Sequence, residues 1–267
     1  MSDWLLANEP QIRFAIFLSI FATLIVLQHV MPRRNDTVGW RRRITNLSLI
    51  IANTLILRAA FPLLAVDIAI RLEASGGGLG SILPHWGAVI IGVILLDCAI
   101  YWQHRLVHMI PLLWRLHRVH HADIGFDVTT AVRFHPLEIV VSMVIKLALI
   151  AIFGIPPLAV LIFEVLLSSG SLFTHANIRL ADTFERRLRW FLVTPEMHRI
   201  HHSVHRDEIN SNFGFHISLW DRIFGSYRDQ SRDEQATMKI GLNDFRDSRD
   251  QSLWALLVNP FRKADDV

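Results

Sequence analysis

Histidine is the residue type in this sequence that is best suited to chemistry. It accounts for 14 of 267 residues, and three short motifs, HRLVH, HRVHH and HRIHH, begin at His104, His117 and His198. Residues three or four apart lie on one face of a helix, so each motif is expected to project its imidazoles in one direction. Imidazole nitrogen is a preferred ligand of iron, copper and zinc. The predicted metal ligands are His104, His108, His117, His120, His121, His198, His201 and His202.

The number of histidines predicts two metal ions rather than one. Eight ligands exceed the four that a tetrahedral zinc site needs. Cys98 is the only cysteine, which excludes an intrachain disulfide and a cysteine-rich metal site. A histidine-rich pair of metals beside a membrane is suited to oxygen chemistry on a lipid, because a hydrocarbon chain can reach it without crossing water.

The apolar residues, 52% of the chain, are gathered into four long runs at residues 13–31, 44–70, 82–103 and 139–174. About 20 apolar residues are enough for one helical crossing of a membrane. The fourth run breaks at residues 154–157, Gly-Ile-Pro-Pro, and predicts either two thin spans or a hairpin that dips into the membrane and returns. The predicted fold is an all-α integral membrane protein with about four membrane-inserted helices or hairpins.

Arginines set the predicted orientation. Five lie in residues 33–43, between the first two runs, whereas the segment before Arg13 has acids and no base. The positive-inside rule places the arginine-rich segment in the cytosol. Following the runs from there brings both histidine-rich segments, residues 104–137 and 175–230, to the cytosolic side. There they form the predicted helical cap of one domain, residues 1–267.

Two more histidines and several polar residues are expected near the metals. His135 and His175 stand at the two ends of the fourth run, on the side of the motifs, and are further candidate ligands. Metal-bound imidazoles usually give their second N–H to a carboxylate or carbonyl. Asp97 lies inside an apolar run, where an ionisable side chain is a functional hypothesis; the alternative is a polar residue near a helix end. The predicted supporting residues are Asp97, Glu138, Asn177, Glu208 and Asn212.

Local signals predict where the short helices begin. Pro111 can occupy the first turn of the helix that carries the second motif. Residues 194–196, Thr-Pro-Glu, are typical of an N-cap, a proline at the first helical position and a first-turn acid. Apolar stretches at residues 180–193 and 253–257 predict short amphipathic helices that pack on the body or on the membrane surface.

The motifs and their neighbouring residues resemble a known family. They read DxxxYWxHRxxH from Asp97, HRVHH from His117, RFHPLE from Arg133 and MHRIHHSVHRDEINSNFGFHISLWDRIFGSY from Met197. This text is similar to that of the fatty acid hydroxylase superfamily, also called the sterol desaturase family, and to its bacterial branch. The resemblance covers residues 90–230.

The resemblance implies a membrane-embedded di-iron oxygenase. Such an enzyme uses O2 and external electrons to hydroxylate or desaturate a fatty acyl, sterol, carotenoid or ether lipid. The ligand role carries over to the eight motif histidines and to His175. Some members have a histidine where this chain has Ser171, so His135 or a water molecule is the expected substitute. The resemblance also implies a bacterial inner membrane, with the metal site on the cytosolic face.

The electrons are expected to come from another protein. The glycine cluster at residues 76–80 lacks the strand–turn–helix context of a dinucleotide site. An external carrier, ferredoxin-, rubredoxin- or cytochrome-like, is therefore expected to dock on the cytosolic face. Arg199, Arg206 and Arg222 could attract an acidic carrier, or they could be ordinary membrane-surface arginines. The net charge of +3 gives no support for nucleic-acid binding.

Two other functions compete with the oxygenase. A membrane zinc hydrolase would use zinc-bound hydroxide as its nucleophile, but the chain has no HExxH motif and too many ligands. A non-catalytic metal-binding or metal-transporting membrane protein is the second alternative. A transporter needs ligands near the bilayer midplane, whereas these histidines are predicted at one membrane face.

Overall fold

The structure, a computed structural model, describes residues 2–35, 39–61 and 63–264, which form helices and loops without a β-strand. The predicted all-α class is confirmed. The helices are α1 (Ser2–Ala7), α2 (Glu9–Val30), α3 (Trp40–Ala60), α4 (Ala65–Glu73), α5 (Leu79–Ile82), α6 (His85–Met109), α7 (Pro111–His121), α8 (Pro136–Phe153), α9 (Pro157–Thr174), α10 (Asp182–Leu188), α11 (Pro195–His201), α12 (Arg206–Ile209), α13 (Leu219–Ile223) and α14 (Leu253–Val258). Single 3₁₀ turns lie at Thr130–Val132, Ser248–Gln251 and Asn259–Phe261.

Five helical stretches of the described chain are long and apolar enough to cross a membrane: α2, the stretch Trp40–Glu73 with α3 and α4, α6, α8 and α9. The fourth apolar run therefore holds two helices of 18 residues each, each about 27 Å long, which agrees with the alternative of two thin spans. The two helices separate because Gly154 adopts a left-handed conformation with φ of 55°. Pro156 and Pro157 then start α9.

Helix α9 lies at the centre of the membrane bundle, where it packs against α2, α4 and α6. Gly92 permits the close approach of α6. A Cβ atom at this position would lie 2.9 Å from side-chain carbons of Ile155 and Ala159. The C-terminal ends of α6 and α9 carry His104, His108 and His175, so this tight contact fixes three candidate ligands relative to one another.

Helix α3 buries a polar stripe. Arg42, Asn46, Leu49 and Asn53 are its buried residues and share one face. The Asn46 amide donates to Asp123 at 3.1 Å and to Thr129 at 3.2 Å. Asn46 and Asn53, two polar residues of the second apolar run, therefore face the cap rather than lipid.

The motif helices begin where their local signals predict. Pro111 is the first residue of α7. The Thr194 hydroxyl accepts a hydrogen bond from the Met197 amide at 3.2 Å and caps α11, with Pro195 at the first helical position. The predicted tail helix is α14, capped by Ser252. Of the predicted stretch 180–193, the helical part is α10.

Candidate metal centre

Nine histidines converge in the cap and form two groups. Within each group the ligand nitrogen atoms all lie within 4.8 Å of one another. The first group is His104, His108, His117, His121 and His201. The second group is His120, His175, His198 and His202. The structure thus brings together all eight motif histidines and His175, in the two-site arrangement that their number predicts.

Each HxxHH motif supplies both groups. On α7 the first and last histidines, His117 and His121, enter the first group, and His120 between them enters the second. The third motif has the reverse assignment, because His198 and His202 enter the second group and the intervening histidine enters the first. Residues four apart are stacked on a helix, whereas the residue three along is rotated to one side. The spacing therefore lets one short helix serve two neighbouring metals.

The nitrogen–nitrogen distances fit metal coordination. In the first group His104 Nε2 lies 3.2 Å from His117 Nε2 and 3.1 Å from His201 Nε2. In the second, His175 Nε2 lies 3.1 Å from both His120 Nε2 and His198 Nε2. Imidazoles bound to one metal at about 2.1 Å have neighbouring nitrogens roughly 3 Å apart. Without a metal, such converging lone pairs would repel.

Other buried nitrogens have no protein partner. His108 Nε2, His121 Nε2 and His202 Nε2 are buried and make no hydrogen bond within the described chain. An unpaired buried polar atom costs about 1–3 kcal/mol. A metal ion in each group would satisfy these atoms, so the residues present fit two metals.

Backbone carbonyls hold three of the rings. The Nδ1–H groups of His104, His175 and His201 donate to the carbonyl oxygens of Phe213, Ser171 and Ser211, each at 2.7 Å. These bonds leave Nε2 unprotonated and directed into the groups, as a ligand requires. The sequence predicts a carboxylate or carbonyl partner for a bound imidazole, but it does not specify which carbonyl lies beside which ring. Ser171, one helical turn before His175, thus supports that ring through its backbone carbonyl.

Glu138 is the predicted supporting residue that contacts a candidate ligand. Its Oε1 accepts from His117 Nδ1–H at 2.6 Å. We expect Glu138→Gln to lower the metal affinity of the first group about 10–100-fold, because the amide no longer stabilises the bound imidazole with a full charge. Metal titration of apoprotein measures this loss. Ser142→Ala, one turn along the same helix, is the control; equal affinities in both variants would contradict this role of Glu138.

Asp97 and Glu208, two other predicted supporting residues, hydrogen-bond residues that are not candidate ligands. Asp97 lies seven residues before His104, about 10 Å along the helix axis, so it is on the same face but out of reach. Its carboxylate bonds Trp220 Nε1 at 2.7 Å and His216 Nδ1 at 2.9 Å. Glu208 accepts from the Ser203 hydroxyl at 2.5 Å.

The two asparagines hold loops. The Asn177 side chain bridges the backbone of Arg34, accepting from its N–H at 3.1 Å and donating to its carbonyl at 2.9 Å. Asn212 donates to the Met197 and Arg228 carbonyls, each at 3.0 Å. Both residues therefore position the chain around the motifs instead of contacting a candidate ligand.

The structure does not bring His135 into either group. His135 is the N-cap of α8, and its Nδ1 accepts from the Leu137 amide at 3.2 Å. Its Nε2–H donates to the Leu257 carbonyl at 3.1 Å. Because Pro136 starts α8, the His135 ring lies against the first turn of that helix. Both of its ring nitrogens are hydrogen-bonded to backbone groups.

Burial keeps the histidines neutral. Burial, followed by the charge of His175, lowers the pKa of His120 well below its ordinary value. Burial and then His117 lower the pKa of His201 to about 3. Burial lowers the pKa of His175 to about 4, against the opposing hydrogen bond to Ser171. Neutral imidazoles have free lone pairs at physiological pH, which metal binding requires.

A buried ionic cluster supports the loop after α7. Arg42 donates through Nη1 to Asp127 at 2.6 Å, through Nη2 to Asp123 at 2.8 Å and to Thr130 at 2.7 Å. A Cβ atom on Gly125 would lie 2.8 Å from the guanidinium carbon, so glycine makes room for it. In the sequence, Arg42 indicates only the orientation in the membrane. No local pattern indicates that Asp123, Asp127 and Thr130 bind its guanidinium.

A cavity whose exposed wall is mainly apolar adjoins the first group, with Arg13, Lys146 and Glu164 also at its wall. Its volume is about 260 Å³, and His104, His117 and Phe215 line it together with residues of α6, α8 and α9. A second cavity of about 240 Å³ shares Phe134 and Ser171 with it and extends between α2 and α3. A hydrocarbon chain in these cavities would lie directly beside candidate metal ligands.

The comparison with known families decides the identity of this arrangement. A family model described as fatty acid hydroxylase matches residues 89–226, about half of the chain and every motif histidine. The chain belongs to the fatty acid hydroxylase family. Members of this family are oxidoreductases, and with five membrane-capable helical stretches the chain is an integral membrane protein. Both predictions are confirmed.

Similar fatty acid hydroxylase family proteins act on lipids. The chain is 25% identical over 236 residues to ornithine lipid hydroxylase OlsE of Rhizobium tropici, covering 84% of this chain and 70% of that protein. It is 33% identical over 144 residues to alkylglycerol monooxygenase of Homo sapiens, covering 53% and 30%. It is 26% identical over 153 residues to cholesterol 25-hydroxylase of Rattus norvegicus, covering 56% and 49%. The chain spans half or less of the last two proteins, and no solved structure matches it.

Proposed function

We propose that the chain is an O2-dependent di-iron hydroxylase of a membrane lipid. The observation that carries this proposal is the pair of buried histidine groups, five and four residues, beside an apolar cavity. Imidazole nitrogen suits iron, and groups of five and four histidines exceed the three protein ligands that a catalytic zinc usually takes. Two bound irons would supply the O2 activation that oxidation of an unreactive C–H bond requires.

The chain's own residues bind, orient and exclude water. His104 and His117 face the cavity, so the carbon to be oxidised lies beside the first group. The Phe215 ring lies 5.0 Å from the His104 ring, tilted by 52°, and covers this wall with an apolar side chain. Glu138 keeps His117 oriented. A C–H bond, O2, two electrons and two protons become an alcohol and water.

Hydroxylation is favoured over desaturation, because the named relatives are hydroxylases and monooxygenases. The proposed substrate class is a lipid with a long acyl or alkyl chain, since the cavities are apolar and open among membrane helices. We keep a bacterial inner membrane as the proposed location and its cytosolic face as the proposed side of the metals, because the five arginines between α2 and the first turn of α3 favour that side.

The proposed electron carrier would dock where a candidate metal ligand comes nearest to the protein surface. Of the nine histidines, His108 is the one that is not fully buried. It lines a surface groove of about 350 Å³ with Trp114 and Arg206, and the His108 and Trp114 rings lie 4.9 Å apart. Arg199 is fully buried and cannot meet a partner, whereas Arg206 is exposed.

Growth of an expressing strain under ¹⁸O2 tests the function. We expect a lipid species that gains one ¹⁸O atom in cells with the wild-type chain and not in cells with His120→Ala. Mass spectrometry of total lipid extracts measures the mass gain, and fragmentation locates the oxidised chain. A lipidome unchanged by the wild-type chain, while the protein binds two irons, would contradict lipid hydroxylation and leave the metal assignment intact.

A further inference from the structure

One segment of the cap reaches deep along the membrane helices. We call residues 213–224, which include α13, the re-entrant segment. His216 Nδ1 and Trp220 Nε1 bond the two oxygens of Asp97 on α6, at 2.9 and 2.7 Å. The His216 ring also contacts the backbone carbonyl of Leu166 on α9. The segment is therefore held by both helices.

Both contact points lie at the midpoints of membrane helices. Asp97 is twelve residues from each end of α6, because the helix runs from residue 85 to 109. Leu166 is nine residues from the first and eight from the last residue of α9. At 1.5 Å per residue these positions are about 18 and 13 Å from the helix ends. In a hydrocarbon layer of about 30 Å, both are at hydrocarbon depth.

The outer surface at this place is apolar and exposed. Ile223 on α13 is 57% exposed, and Trp190 and Phe191, just after α10, are 62% and 74% exposed. The loop after α10 adjoins the re-entrant segment, because the Ser218 amide donates to the Phe191 carbonyl at 3.2 Å. The patch consists of Phe184, Trp190, Phe191, Leu192, Leu219 and Ile223.

This patch continues the lipid-facing surface of α6. The ring of Trp102, which is exposed on that helix, lies 4.9 Å from the ring of Phe224. Soluble surfaces rarely expose contiguous apolar patches of this kind. The continuity with a membrane-facing helix identifies acyl chains, rather than a protein partner, as the occupant.

The backbone of the segment is satisfied from within. Asp221 accepts from the amides of Phe213 and Gly214, at 2.7 and 2.9 Å, and from the Ser226 hydroxyl at 2.7 Å. Irregular backbone is tolerated at membrane depth only when its polar groups are paired inside protein. Arg222 stacks 4.3 Å over the Trp190 ring, which suits a cation near the headgroups.

We propose that the re-entrant segment and the apolar side chains of Phe184, Phe191 and Leu192 are inserted into the hydrocarbon of the leaflet next to the histidine cap and contact its acyl chains. The exposed Arg186 and Arg187 then reach the headgroups of the same leaflet. Asp97 anchors this insertion. Phe215 of the same segment lines the apolar cavity, so the insertion places that cavity wall against the lipid that must supply the substrate. The insertion itself is independent of the proposed di-iron chemistry.

Fluorescent labels in nanodiscs test the insertion. In a Cys98→Ser background, an environment-sensitive dye is attached to Phe191→Cys or Ile223→Cys. Ile90→Cys, exposed on α6, is the lipid-facing control, and Glu234→Cys, exposed on the cap, is the aqueous control. We expect lipids with a doxyl group on the acyl chain to quench dyes at 191 and 223 about as strongly as at 90. Iodide should quench only at 234.

Two results would overturn the insertion. One is iodide quenching at 191 and 223 equal to that at 234. The other is protection from both quenchers, which would mean that a protein covers the patch. Asp97→Ala supplies an independent readout: doxyl quenching at 223 should fall at least twofold with the metal content unchanged. Loss of metal with quenching unchanged would show that Asp97 serves the histidine groups and not the segment.

Discussion

Replacing His201 by alanine is expected to lower the iron content from two ions per chain to about one and to reduce lipid oxidation at least 100-fold. His201 Nε2 lies in the first group, 3.1 Å from His104 Nε2, and its Nδ1 is fixed by Ser211. The variant loses one of five ligands and leaves a buried void that water cannot fill with equal geometry. Elemental analysis of purified protein after anaerobic ferrous reconstitution measures the iron.

Matched variants separate the two groups. His202→Ala should also lose about one ion, because its ring belongs to the second group. His205→Ala is the control, since His205 lies in the same stretch but pairs at the surface with Asp233, at 2.9 Å. Two irons in the His201→Ala variant, or an equal loss in His205→Ala, would contradict the assignment of ligands. Zinc alone in the wild type would favour the hydrolase.

Replacing Arg42 by methionine is expected to cost about 3–5 kcal/mol of unfolding free energy, because it removes the cation that bridges two buried carboxylates. Asp127 would keep only Arg43, at 3.0 Å, and Asp123 only the more distant Arg133, at 3.8 Å. Arg42 links α3 to the loop that follows α7, through Asp123, Asp127 and Thr130. The second motif ends where this loop begins, so metal content should fall as well. Thermal unfolding in detergent measures the stability. Arg41→Met, exposed beside it, is the control and should change stability by less than about 0.5 kcal/mol.

The pH dependence gives a second readout of this cluster. Burial alone would raise the pKa of Asp127, but Arg42 and hydrogen bonds from Thr129, Arg42 and Arg43 outweigh it and lower the pKa to about 2. A depressed carboxyl pKa stabilises the fold above the unfolded value, near 4, and the contribution is lost as pH falls toward 2. In Arg42→Met the loss should begin at higher pH. Parallel acid-unfolding curves for both proteins would contradict this account.

The sequence determined the class, the membrane segments and nearly all of the metal site. Apolar runs long enough to cross a membrane can be counted without a structure. The HxxxH and HxxHH spacings likewise specify one helix face, because helix geometry relates residues three and four apart. Thr194 and Pro195 likewise predicted the start of α11, because N-capping depends only on residues that are neighbours in the chain.

Only the tertiary structure decided how these pieces meet. The division of each HxxHH motif between two groups depends on the angle at which α7 and α11 face each other. His135 shows the limit of local reasoning: it is close to the motifs in the chain, but Pro136 makes it an N-cap. Asp97 lies on the same face of α6 as His104, yet its partners, His216 and Trp220, come from more than a hundred residues away. No pattern in the sequence specifies such pairings, because they are set by packing between distant segments.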